Sequence, residues 1–232
     1  YLRTRINQIG RAVMAQRPIL AVPAMNRRFF VMTRYAEGWA TPVALDPDDR
    51  HADSLAACGN GRGWAAARDL PTLTARIGIG MTGRHLPPIM RTASFPGTDI
   101  LSRGLLDIWR RFDPAALDIL PVRLTSRTGR ALKGDYCLAD VVRRLPALDL
   151  KAMNAFLFHN PESDGARTEI FPPPEAFALR DDLPVDGVHL FRDSVWSDHY
   201  FVSAELRQAC LDAGFKTIPF ARPETPDRVG PP

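Results

Sequence analysis

Residues 199–221 are punctuated so sharply that little choice of local structure is left to them. His199-Tyr200-Phe201-Val202 is β-rich, Ser203 is an N-cap, and Leu206, Ala209, Cys210 and Ala213 recur at helical spacing. Gly214 then supplies a C-terminal stop, and Thr217 to Ala221 returns as a strand. The boundaries are chemical: a serine hydroxyl accepts an orphaned first-turn N–H, and glycine enters left-handed backbone at little cost. The same grammar recurs upstream, where Asp99-Ile100-Leu101-Ser102 is expected to open a short helix. Ser102 is its N-cap and Leu101 and Leu106 its hydrophobic staple, while Leu105, Ile108, Trp109 and Phe112 form one apolar face before Pro114 ends it.

Around these two helices the chain offers short apolar runs separated by turns. Phe29 to Met32, Ile119 to Leu124, Tyr136 to Val142, Phe156 to His159, Phe177 to Arg180 and Val188 to Arg192 all read as strands. Thr128-Gly129 marks a polar turn, Asp46-Pro47-Asp48-Asp49 another, and Leu86 to Ile89 is extended. Helices and strands do not alternate regularly, which predicts an α+β fold with a mixed, mainly antiparallel sheet and a few short helices. Residues 1–24 read as an N-terminal extension, 25–222 as the folded domain and 223–232 as a Pro-rich, charged, flexible tail.

Composition removes several classes of function. With 45% apolar and 24% charged residues in 232, the chain can bury a core without disulfides or metal. The longest apolar runs fall far short of the roughly 20 residues of a membrane span, and the Arg-bearing N-terminus lacks the apolar core of an export signal. Cys58, Cys137 and Cys210 lie far apart, without zinc or redox spacing, which suits buried apolar thiols in a reducing cytoplasm. The formal charge of +4 conceals an asymmetry, because residues 147–212 sum to roughly −7.

Candidate chemistry is sparse. Gly59-Asn60-Gly61-Arg62-Gly63 has the glycines of an anion cradle but neither the Lys-Ser/Thr of a P-loop nor the preceding strand of a dinucleotide site, so a surface loop is the simpler reading. Cys137 or Ser203 with His189 or His199, and Asp198 as orienter, would make a hydrolytic set only if the fold gathered them. Arg192 follows an apolar strand, and it either binds an anionic ligand or is satisfied internally by a carboxylate such as Asp99 or Asp193. Trp196, among Asp193, Ser194, Ser197 and Asp198, is either a contact anchor or a loop pinned by its indole.

Pro96-Gly97-Thr98-Asp99-Ile100-Leu101-Ser102-Arg103-Gly104-Leu105, then Leu120-Pro121-Val122-Arg123-Leu124, then Asp135-Tyr136-Cys137-Leu138 through Ala147-Leu148-Asp149-Leu150 resembles a bacterial family of immunity proteins. It is the eleventh numbered immunity family of polymorphic toxin systems, formerly a domain of unknown function. Val188 to Arg192, Tyr200 to Leu206 and Ala213 to Phe220 continue the likeness in order; it is close over 94–222, loose over 25–93 and absent before Met25. The resemblance implies that Asp99, Ser102, Arg192 and Ser203 are fold determinants. It also implies a cytoplasmic protein without cofactor, metal or catalysis that binds a cognate toxin and occludes its active or substrate site.

For the contact surface, the acidic residues Glu162, Asp164, Asp181, Asp182, Asp186, Asp193 and Asp198, with Trp196, are the candidates, since they would steer a cationic partner. Neither membrane nor nucleic acid is expected as a partner, and the oligomeric state is left open. The rival function is a hydrolase with a Cys or Ser nucleophile and a His base. A third reading, nucleic-acid binding through the Arg-rich start, predicts salt-sensitive retention.

Overall fold

Phe29-Phe30-Val31-Met32 and Tyr200-Phe201-Val202-Ser203 are continuous apolar or small runs rather than alternating ones, and the fold explains why: these strands are buried on both faces. A computed structural model describes residues 28–32, 44–45, 58–59, 61–69, 72–77, 86–91, 98–126, 128–160, 167–171, 177–196 and 199–223. In chain order the strands are β1 (Phe29–Met32), β2 (Ala44–Leu45), β3 (Leu73–Arg76), β4 (Ile89–Arg91) and β5 (Asp99–Ser102). Then come helix α1 (Arg103–Phe112), β6 (Leu117–Thr125), β7 (Tyr136–Val141), β8 (Arg144–Leu145), β9 (Phe156–Asn160) and β10 (Arg167–Phe171). The chain continues with β11 (Leu190–Asp193), β12 (Tyr200–Ser203), helix α2 (Ala204–Asp212) and β13 (Phe220–Ala221).

Two sheets result. One has six strands in the order β2-β3-β6-β7-β5-β4, parallel only between β3 and β6; the other has five in the order β13-β1-β12-β11-β8, parallel only between β11 and β8. The fold is therefore α+β with mixed, mostly antiparallel sheets. Strands β9 and β10 pair with each other as a separate two-stranded ribbon.

Helices α1 and α2 meet between the sheets. Leu105, Leu106, Ile108 and Trp109 of α1 and Leu206 and Cys210 of α2 share one buried cluster with Leu101, Cys137, Ala139 and Val141 of the six-stranded sheet and Tyr200 and Val202 of the five-stranded one. Alternation sends the intervening residues to the opposite faces. Ile100 and Leu138 join Trp64, Ala67 and Leu124 in a second cluster, and Phe29, Val31, Phe191 and Phe201 join Leu148, Leu179 and Leu183 in a third. Each buried side chain of this size contributes about 1.5–3 kcal/mol, so the three clusters dominate stability.

The sequence places both helices, with particular differences. Ser203 caps α2 as expected, accepting from Leu206 N–H at 3.1 Å, and Gly214 takes φ 88° just beyond it. Asp99 to Ser102 do not open α1, however; they form β5, which pairs with both β4 and β7 and hands the chain to the helix at Arg103. Ser102 stands at the N-cap with extended backbone but makes no side-chain cap. The Arg103 amide donates to the Asp135 carbonyl instead, at 2.9 Å. Leu101 and Leu106 do share a cluster, as the staple requires.

Phe177 to Arg180 is not a strand: only Leu179 makes a bridge, to Leu148. The last strand shrinks to Phe220–Ala221, while β3, β8 and β10 are strands for which the pattern offered no warning.

Candidate functional site

Acidic residues are the natural starting point, and the fold divides them by task. Asp140, on β7, is fully buried against Arg192 of β11, with Asp140 Oδ1 2.7 Å from Arg192 Nη2. Arg192 Nε also donates to the Val141 carbonyl at 2.7 Å, Nη2 approaches the Tyr200 hydroxyl at 3.4 Å, and the guanidinium lies 4.9 Å from the centre of the Tyr200 ring. Arg192 is thus a structural residue that ties the two sheets together. Its partner is Asp140, not the expected Asp99 or Asp193, because the β7–β11 contact brings together residues 52 apart in sequence.

The glycine loop closes on the same carboxylate. Gly61 and Gly63 donate their amides to Asp140 Oδ1 and Oδ2, each at 2.8 Å, and Trp64 N–H donates to Asp118 Oδ2 at 2.7 Å. The loop does cradle an anion, and that anion is an aspartate of its own chain. Gly61 and Gly63 have φ near 78° and 76°; a Cβ at Gly61 would strike the Arg144 guanidinium, and one at Gly63 would lie 2.6 Å from Asp118 Oδ2.

Asp113 and Asp193 work in the same way. Asp113 Oδ2 accepts from the His189 and Leu190 amides at 2.9 and 3.1 Å, while Oδ1 pairs with Arg143 at 2.9 Å. Asp193 Oδ2 accepts from Ala147 and Leu148, and Oδ1 from Val195 and Trp196, all between 2.8 and 3.1 Å. Asp193 is buried and both its oxygens are engaged, so its charge holds loops and is not presented at the surface.

The other candidate contact residues fall into three groups. Asp181, Asp182 and Asp186 are exposed on the turn after Arg180, whose guanidinium grips Asp182 at 2.9 and 2.7 Å. The Arg180 side chain beside it, by hydrogen bond first and charge second, holds the Asp182 carboxyl below its ordinary value. Trp196 is half-buried, edge-on to Phe177 at 5.5 Å and to His199 at 5.7 Å, so the indole pins its loop. Glu162, Asp164 and Asp198 lie outside the described residues.

The hydrolytic set is only partly assembled. His199 is buried among Phe177 and Trp196, and Cys137 sits on β7 in the cluster around the helices. His189 Nδ1 and Ser203 Oγ do meet, at 2.9 Å. Ser203 Oγ also serves the start of α2, though. The Glu205 carboxyl is held below its ordinary value first by its own backbone N–H and next by the Ser203 hydroxyl. Leu206 N–H donates to the same Ser203 Oγ. The trio is a helix cap. Asp99, the remaining motif position, is buried on β5 opposite Ala139.

What the sequence did not single out is apolar and exposed. Phe156 and Leu157, at the start of β9, are 55% and 46% accessible, the exposed large hydrophobics among the described residues. The same residues hold no group of three or more His, Cys, Asp or Glu placed for a metal, and no helix long and apolar enough to cross a membrane.

Comparison with known proteins adds the family. The immunity protein family Imm11 matches residues 31–225, which bears out the resemblance read from the ordered segments between Pro96 and Phe220. No curated protein matches the chain.

Proposed function

The chain belongs to the Imm11 immunity protein family, and from that premise we propose that it neutralises a cognate bacterial toxin in the cytoplasm by covering the toxin's active or substrate site, without catalysis of its own. The observation that carries this reading is the family match over residues 31–225. The architecture supports it: a core in three clusters and loops pinned by buried aspartates make a rigid support, as an occluding inhibitor needs. The proposed contacts are the exposed Asp181, Asp182 and Asp186, the exposed edge of Trp196, and Glu162, Asp164 and Asp198; Asp193 is withdrawn because it is buried.

The test is a titration of the toxin encoded beside this chain's gene. Its activity should fall to baseline at a stoichiometric ratio, with a complex isolable by gel filtration. Full toxin activity in the presence of excess protein would sink the proposal.

The rival reading, a hydrolase, has one observation in its favour: the 2.9 Å contact of His189 with Ser203. Ser203→Ala separates the two. Occlusion predicts a variant that still inhibits the toxin in full, whereas hydrolysis predicts one that binds but no longer protects.

A further inference from the structure

Phe30 and Met32 are two residues apart on β1, so their side chains leave the same face of the five-stranded sheet, and Met32 lies opposite Phe220 of the edge strand β13. Helix α2 covers that face, since its Leu206 and Cys210 share a cluster with Met32. Arg207, the next residue of the helix, is carried over two rings, its guanidinium carbon 4.4 Å from the centre of Phe30 and 6.0 Å from that of Phe220. Arg222, just past β13, places a second guanidinium 4.2 Å from the centre of Phe30. Two cations thus share one buried ring.

Stacking leaves the donors of Arg207 unused. A guanidinium attracts a ring through its flat face, whereas its N–H groups donate in its plane. Arg207 Nε is buried without an acceptor, and the residue makes no hydrogen bond or ion pair among the described residues. Its helix offers no acid three or four positions away. Glu205 is held by its own backbone N–H and the Ser203 hydroxyl, with His189 and Arg28 as the cationic groups that act on it, and Asp212 accepts from Gln208. Arg222 has a further contact of its own and adds charge; the unused donors are those of Arg207. Cation–π attraction positions a charge without neutralising it, and an arginine fixed by its face holds its fork ready for a carboxylate or a phosphate.

We propose that Arg207, seated on Phe30 and Phe220 with Arg222 beside it, is an oxyanion site that takes a carboxylate or a phosphate. The anion docks end-on against the terminal Nη groups, because Nε is closed off from solvent. The site goes beyond the toxin-neutralising reading: it adds a cationic point of recognition to a protein whose other proposed contacts are acidic.

The experiment titrates the full chain with inorganic phosphate, and in parallel with acetate, against sodium chloride at equal ionic strength, so that screening is constant. The buried Nε proton of Arg207 is the reporter in 1H–15N spectra. It should shift saturably with the oxyanion, while that of Arg180, already paired with Asp182, stays in place. Phosphate should also raise the urea midpoint of the wild type. Arg207→Met keeps an aliphatic stem on Phe30 and should lose that rise; Arg207→Lys keeps the charge without the fork and should retain only part of it.

The catalytically inactivated toxin encoded beside this chain's gene separates two sources of the anion. If a toxin carboxylate fills the site, Arg207→Met binds the toxin about tenfold or more weakly, and phosphate competes with wild-type binding. If a free anion fills it, toxin binding is the same in both proteins. A reporter that drifts without saturating, or a midpoint response that is absent or equal in wild type and Arg207→Met, overturns the site in either case. Wild-type protein that does not bind the toxin sinks the toxin-neutralising reading alone, and the titrations still decide the site.

Discussion

The Arg192–Asp140 pair offers a sharp test of how this fold is held. Replacing Arg192 with Met leaves a buried carboxylate without its cation, and breaking such a pair costs about 3–5 kcal/mol. Asp140 keeps the amides of Gly61 and Gly63 as donors, which places Arg192→Met toward the lower end of that range. Asp140→Ala does more damage, because it strands the guanidinium and orphans both amides at about 1–3 kcal/mol each. Its cost exceeds about 5 kcal/mol, comparable with the whole stability of many domains.

Arg192→Met with Asp140→Asn removes both charges and leaves a carbonyl oxygen for one amide, so its cost falls below the sum of Arg192→Met and Asp140→Asn, each measured alone, by a coupling energy of a few kcal/mol. Urea unfolding followed by tryptophan fluorescence reads this directly, since Trp64 and Trp109 are buried in two different clusters. With a slope of about 3 kcal/mol per molar, Arg192→Met lowers the midpoint by about 1 M or more. A shift under about 0.3 M, or strict additivity in the double variant, would refute the claim that this pair joins the sheets.

Two further outcomes follow from the buried thiols and the α2 cap. Burial pushes Cys210 from 9.0 up to about 11 and raises Cys58 and Cys137 as well. A folded value above the unfolded one stabilises below the unfolded value and loses that contribution as pH climbs through the folded one, so the urea midpoint should fall between about pH 9 and pH 11. A thiol reagent should find none of the 3 cysteines in native protein at neutral pH and all of them in guanidinium; rapid native labelling would contradict their burial. At the cap, Ser203→Ala should cost about 1 kcal/mol. Glu205, held below its ordinary value, stabilises above that value and loses the contribution as pH falls through the depressed one; Ser203→Ala should therefore flatten the acid limb of the stability profile, and an unchanged limb would contradict a stabilising Ser203–Glu205 contact.

Local grammar was legible, and long-range grammar was not. Ser203, Gly214 and Pro114 announce their roles because capping and helix termination are decided within a few residues. Asp99 to Ser102 misled for the same reason: a serine before a helical pattern reads as a cap whether or not a strand precedes it, and β5 exists only through its partners β4 and β7. Phe177 to Arg180 carries β-rich residues but finds only one bridging partner. Arg192 was readable as internally satisfied, yet its partner was not, since nothing in a linear pattern links residue 192 to residue 140 or Asp140 to Gly61, 79 positions away. Phe156-Leu157-Phe158 did carry a signal: an unbroken apolar run suits a strand covered on both faces, and here Phe156 and Leu157 stay about half exposed.

That contrast separates two uses of negative charge that a count of acids merges. Asp113, Asp140 and Asp193 are buried and engaged with backbone amides or arginines, so substituting them removes the support of loops as well as any contact those loops make. A loss of toxin binding in such variants would carry no information about the interface. Asp181 and Asp186 are exposed on a segment whose backbone is tied at Arg180 and Val185. Reversing their charge therefore perturbs the field at the surface while the fold keeps its supports, and a change in association rate at constant unfolding midpoint is a statement about the partner's charge alone.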